Sequence, residues 1–251
     1  MRWLILLGHT FPVRMEVSLM EQPRMIPDLY IANKNYSSWS LRPWVLMHQL
    51  QIPFSERLMP FAGDATPAIY RTFSPSGKVP CLAHGEIVVW DSLAIFEYLA
   101  ELHPRVWPVQ ATARAWARCA SAEMHAGFSH LRSICTMNCG LRVSMAGIIP
   151  ELQADLDRID DLWNEGLERF GGPFLAGNEF TAVDAAFAPV AFRIQTYDLP
   201  MSGAALEYVH LLLDLPAMGE WYEAALQEEW RDDAHEQEAR LAGEWLEDFR
   251  A

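Results

Sequence analysis

The chain has 251 residues, of which 51% are hydrophobic and 21% charged, with a formal net charge of −14. This allows a sizeable core in one large or two small domains and excludes global disorder. So acidic a chain is unsuited to nucleic acid or to anionic membrane surfaces, and no apolar run reaches the roughly 20 residues of a membrane span.

Residues 1–28 open with Arg2 and the apolar Trp3–Leu7, which resembles the start of a signal peptide but is short and lacks a small-residue cleavage site. They read as an extension, disordered or owed to a start placed too early, with Met20 and Met25 just ahead of the first strand. Leu29–Asn33 suits a buried strand, and a helix follows over about 40–51. Phe54–Met59 is the next strand, so the order is βαβ, which implies a parallel pair. After an irregular or helical connection over about 63–73, Lys78–Leu82 and Ile87–Trp90 flank a tight turn at His84-Gly85 and predict an antiparallel hairpin. A helix from Asp91 to about Leu102 completes βαβ–ββα, a thioredoxin-like pattern over residues 29–103.

His103–Pro108 reads as a linker, and the rest is helical, so residues 111–230 form an all-α second domain. Helices are expected over about 112–137, 151–170, 182–197, 203–213 and 216–230. Thr181 and Asp184 have capping-box spacing, with Asp in place of Glu. From Glu223 to Ala251 there are ten acids and three arginines, half the net charge of the chain. Trp230, Trp245, Leu246 and Phe249 are possible anchors, but a solvated acidic tail over 231–251 is the preferred reading. The four cysteines, Cys81, Cys119, Cys135 and Cys139, fit neither a C-x-x-C nor a zinc pattern. They read as buried or semi-buried free thiols of a reducing compartment, which places the chain in the cytoplasm and assigns no metal.

Three features carry chemistry. Ser37, Ser38 and Ser40 stand at a strand-to-helix turn, where serines ordinarily cap the helix. The unpaired N–H groups and partial positive charge of a helix start also suit an anion, which a serine hydroxyl can bind. Val79-Pro80 begins a strand, so the Val79 backbone is an open edge for an extended peptide. Asp91-Ser92 starts a helix: a cap again, or a site where N–H groups take a carboxylate and Asp91 an ammonium. An amine with a carboxylate, a peptide backbone and a sulfur anion together describe a small thiol peptide.

The chain resembles the cytosolic glutathione S-transferases from about residue 29 to 230. The matching stretches are Tyr36–Arg42, Ser74–Leu82, Asp91–Leu99 and Phe180–Asp184. The resemblance is to serine-type members, such as the zeta, theta and tau classes. It implies a thioredoxin-like α+β domain followed by an all-α helical bundle, glutathione as co-substrate, a small electrophilic second substrate, a detoxifying transferase activity and a homodimer. Their S-x-x-x-x-R spacing, counted back from Arg42, implies Ser37 as the catalytic serine, with Ser38 as the neighbouring candidate. It further implies a cis Val79–Pro80 bond, Val79 against the cysteinyl part of glutathione, Lys78 near its glycine carboxylate, and Asp91 and Ser92 at its γ-glutamyl end. The family usually has Glu or Gln where Asp91 stands, and the zeta class has Cys where Trp39 stands. Glutathione-dependent isomerisation of the maleylacetoacetate type, peroxidase activity and a non-enzymatic interaction role are the alternatives. Met124, His125, Phe128, Arg132 and Met137 are the candidate walls for the second substrate, although the apolar ones among them read rather as plain helix core.

Overall fold

The computed structural model describes residues 25–250. The expectations for residues 1–24 lie outside the described residues. A four-stranded sheet forms the first half, built from β1 (Asp28–Ile31), β2 (Ser55–Leu58), β3 (Cys81–His84) and β4 (Ile87–Trp90). Its order is β2-β1-β3-β4, with β1 parallel to β2 and the other pairs antiparallel. Helix α1 (Ser38–Gln49) is the crossover between β1 and β2; the short α2 (Thr66–Tyr70) lies between β2 and β3, and α3 (Ser92–Leu102) follows β4. The thioredoxin-like order read from the sequence is therefore present. Leu29 and Ile31 alternate onto a fully buried face, as a period of two requires, while Tyr30 on the other face stacks on Phe73 at 4.3 Å. The third strand starts at Cys81 rather than at Lys78, because the cis Val79–Pro80 segment precedes the ladder.

The second half is mainly helical, apart from one two-stranded sheet: α4 (Ala111–Ala126), α5 (Ser129–Ile134), α6 (Pro150–Phe170), α7 (Ala182–Tyr197), α8 (Gly203–Leu213), α9 (Pro216–Leu226) and α10 (Asp233–Ala242). Helix α7 is buried along nearly its whole length and packs on α1 and α4, so it forms the axis of the core. Its first turn is held by Asp184, a buried carboxylate that accepts from the Thr181 and Leu175 N–H groups and the Tyr208 hydroxyl.

The single helix expected over about 112–137 is instead two. It breaks at Gly127 and Phe128, and Phe128 adopts a left-handed φ of 56°. A Cβ at Gly127 would come within 2.9 Å of the Glu123 carbonyl oxygen. Arg132 donates to the His125 and Gly127 carbonyls left open by the break, and Asp155 accepts from the N–H groups of His130 and Leu131 at the restart. The helix expected over 216–230 ends at Leu226.

The C-terminal stretch differs most from expectation. Residues 231–251 were expected to be solvated; instead α10 and β6 (Gly243–Asp248) fold back onto the body, and β6 pairs antiparallel with β5 (Leu141–Met145). Among the four aromatic and aliphatic anchor candidates only Trp245 packs on the core, while Trp230, Leu246 and Phe249 remain about half exposed. The anchor is polar. The Arg250 side chain, 2% exposed, pairs with Glu236 and Asp248, and the Tyr36 hydroxyl donates to Glu236 at 2.7 Å.

Candidate functional site

The residues linking β1 to α1 are fixed before any ligand is considered. Ser37 N–H donates to the Asn33 carbonyl at 2.8 Å, and Asn33 Oδ1 accepts from Phe61 N–H at 2.7 Å. The buried Glu228 carboxylate accepts from the Lys34 and Asn35 N–H groups. Asn35 accepts from Gly140 N–H and donates to Asn138. Glu228, from near the far end of the chain, thus satisfies two loop donors that no ladder reaches. Burial raises Glu228 above the usual carboxylate range, against the lowering effect of the two N–H bonds.

The chain then enters α1 at the edge of a cavity of about 700 Å³. Ser37 is 6% exposed, and its hydroxyl donates to Ser40 Oγ at 2.7 Å. Ser40 Oγ also accepts from Ala32 N–H at 3.2 Å. Neither serine caps α1 through its side chain. Ser38, half-buried, has no side-chain hydrogen bond among the described residues. Both Ser37 and Ser38 line the cavity, as do Lys78 and Val79. Val79 precedes the first paired residue of β3, so its backbone lies outside the ladder.

A second cavity of about 540 Å³ adjoins the first and shares Trp39, Lys78, Val79 and Arg132 with it. Asp91 and Ser92 line this second space. Asp91 has a φ of 76°, and its carboxylate caps α3 by accepting from Leu93 N–H at 2.9 Å. Its other oxygen is 3.4 Å from His125 Nε2, while His125 Nδ1 is buried without a partner. The cap reading of Asp91 therefore holds, and the carboxylate still borders the cavity. All six residues expected from the sequence thus surround one pair of adjoining cavities: Ser37, Ser38, Lys78, Val79, Asp91 and Ser92.

Of the five expected second-substrate walls, Arg132 and Met137 line the first cavity and His125 the second. Met124 and Phe128 do not; they are buried in the core. Several wall residues were missed. Tyr36, Phe61 and His235 form an aromatic side, with His235 stacked at 5.1 Å on both other rings. Thr136 and Arg193 line the inner end. Arg193 carried a readable signal: with Asp184 it is one of two charged residues in the mostly apolar 182–197. His235 carried none, since its place depends on the fold-back of α10.

Among the described residues no helix is long and apolar enough to cross a membrane, and no cluster of His, Cys, Asp and Glu could hold a metal ion. The arrangement suits an extended, anionic organic ligand with a hydroxyl pair and a helix start at one point along it.

Comparison with known proteins bears on the family and the fold. Residues 36–102 match the glutathione S-transferase N-terminal domain and residues 146–224 the C-terminal domain of the same family, together more than half of the chain. The glutathione S-transferase-like protein OpS6 of Beauveria bassiana is 24% identical over 76% of this chain and 89% of its own length. A probable maleylacetoacetate isomerase of Vibrio cholerae is 26% identical over 66% of this chain and 81% of its own. The fold matches that of the theta-class glutathione S-transferase of Xanthomonas axonopodis pv. citri, solved with glutathione bound, at a TM-score of 0.59 and 20% identity, covering 81% of this chain and 99% of that one. With thioredoxin-like and helical halves in this order, each matched by its own domain of one family, the chain belongs to the glutathione S-transferase family.

Proposed function

We propose that this protein binds glutathione across the two cavities and activates its thiol for attack on a small electrophile. One observation carries the reading: the serine turn, the free Val79 edge and the Asp91-Ser92 helix start border cavities that share walls. Glutathione's γ-glutamyl end lies at Asp91 and Ser92, its cysteinyl backbone against Val79, and its glycine carboxylate near Lys78. The sulfur then faces Ser37 and Ser38 at the start of α1. A free thiol of pKa about 8.5 is only a few per cent ionised at neutral pH. A serine hydrogen bond and the helix start favour the thiolate. A shift of about one to two pKa units corresponds to about 1.4–2.7 kcal/mol. The serine donates a hydrogen bond and forms no covalent bond itself. The enzyme acts as a cytoplasmic homodimer; light scattering after gel filtration tests the dimer.

Calorimetric titration of glutathione, followed by assay with 1-chloro-2,4-dinitrobenzene, tests the main reading. Binding with conjugate formation supports it; absence of binding overturns it in favour of a non-enzymatic role on the same fold. A second reading, glutathione-dependent cis–trans isomerisation, is favoured by the likeness to the Vibrio cholerae protein and to a rat maleylacetoacetate isomerase, 24% identical over 181 residues. Turnover of maleylacetoacetate without consumption of glutathione would identify it. Oxidation of glutathione to its disulfide by cumene hydroperoxide would identify the peroxidase alternative.

A further inference from the structure

The inner end of the first cavity is strongly cationic, although the chain as a whole carries a net charge of −14. Trp39 is the centre of this region. The Arg42 guanidinium lies 4.1 Å from its ring centre and that of Arg132 4.6 Å. Arg193, 4% exposed, lines the same cavity, as does Thr136, whose buried hydroxyl has no partner. Among the described residues none of the three arginines forms an ion pair with a carboxylate. Arg193 donates to the Cys135 and Pro189 carbonyls, and Arg132 to those of His125 and Gly127. Carbonyls satisfy the N–H groups but leave the charge uncompensated. Arg42 is 3% exposed, and its Nε has no partner.

Like charges gathered in a partly desolvated place are costly unless something anionic completes them. Burial, then Arg193 and Arg132, push Arg42 down to about 9, and the attraction of Asp91 is a smaller effect. Burial likewise lowers Arg193, to about 10. Both remain cationic at neutral pH. The acids near the cavity do not neutralise them: Asp91 is engaged with Leu93 N–H and His125, and Glu238 is an exposed residue of α10 on the cavity wall.

We propose that the second substrate is itself an anion: an electrophile bearing a carboxylate, held by Arg132 and Arg193 with the Thr136 hydroxyl, while Arg42 strengthens the field from behind Trp39. This rests on the transferase reading of the same groove. Guanidinium is suited to the task, since its planar N–H pairs match a carboxylate. With an aryl chloride of this class, the glutathione sulfur forms the C–S bond and chloride departs with the C–Cl electron pair.

The test needs no turnover. 3,5-Dinitrobenzoate and its methyl ester are titrated calorimetrically into the full chain, with and without saturating S-methylglutathione, for the wild type, Arg132→Gln, Arg132→Lys and Arg193→Gln. The expected result is that the carboxylate binds at least about tenfold more tightly than the ester, with S-methylglutathione already in place. Arg132→Gln then removes most of that preference, Arg132→Lys restores part of it, and ester binding changes little. Equal binding of acid and ester by the wild type overturns the proposal, as does a preference that survives both Arg132→Gln and Arg193→Gln. Competition between the carboxylate and S-methylglutathione also overturns it, because the arginines then serve glutathione's own carboxylates. If S-methylglutathione fails to bind while the Arg132-dependent preference persists, the carboxylate site stands and only the transferase reading falls.

Discussion

Ser37 and Ser38 differ in one respect that the sequence does not display. The Ser37 proton is directed at Ser40, so Ser37 can donate to a thiolate only if that bond reverses. The reversal is feasible, since Ser40 already accepts from Ala32 N–H and keeps a proton to give. Ser40→Ala is therefore expected to weaken thiol ionisation by less than Ser37→Ala, though it never touches the ligand; the thiolate absorbance of bound glutathione measures both. The cysteines allow a simpler check. Burial pushes the Cys135 thiol up to about 12 and raises those of Cys81 and Cys139, whereas Cys119, expected from the sequence to be at least half-buried, is exposed on α4. A native chain should therefore release one equivalent of colour with 5,5′-dithiobis(2-nitrobenzoate), and an unfolded one four. Rapid labelling of more than one thiol in the native protein would contradict the burial described.

At the scale of elements, two carboxylates decide local stability. Asp184 holds the start of α7 through the Thr181 and Leu175 N–H groups and the Tyr208 hydroxyl. Asp184→Ala leaves these donors buried and unpaired, and a loss of about 3 kcal/mol or more in a urea titration is expected. Burial lifts the Asp184 carboxyl to about 6, and its hydrogen bonds only partly oppose this. The folded state then binds a proton more readily than the unfolded state, so this group's contribution falls as pH rises from about 4 to 6.

Glu236 behaves in the opposite sense. Burial alone would raise it, but the Arg250 and Tyr36 hydrogen bonds hold it below the usual range; the Arg250 hydrogen bond does the same for Asp248. Their contribution is present above the ordinary carboxylate range and is lost as pH falls through the depressed values. The fold-back of α10 and β6 should therefore loosen in acid, below about pH 4. Arg250→Ala should loosen it at neutral pH, at a cost of about 3 kcal/mol for breaking a buried pair. Hydrogen exchange of the β5–β6 amides reports both, and unchanged protection in Arg250→Ala would contradict the anchor. The capping box of α7 was legible because its residues are three apart. The docking of the tail was not, because Tyr36 and Glu236 are 200 positions apart and neither has a local pattern that names the other.

For the molecule as a whole, the same division explains what sequence reading reached. Strand alternation, the βαβ–ββα order and the change to helix after about residue 110 are local patterns, and the structure contains them. The six expected site residues lie on short motifs at element ends, so their clustering followed once the sheet order was right. The arginine cluster and the His235 wall join α1, α5, α7 and α10, and only tertiary packing brings those together. Net charge was a poor guide to the groove, where the sign reverses.

On the proposed function, a hydroxyl at the start of α1 lowers the pKa of a bound glutathione thiol. The most direct measurement is a pH titration of thiolate absorbance near 240 nm, with glutathione bound to the wild type, Ser37→Ala and Ser38→Ala. The wild-type pKa should lie about one to two units below the free value of about 8.5, with most of the shift lost in Ser37→Ala. A bound thiol that titrates like free glutathione, or a depressed pKa that neither serine variant alters, would contradict it.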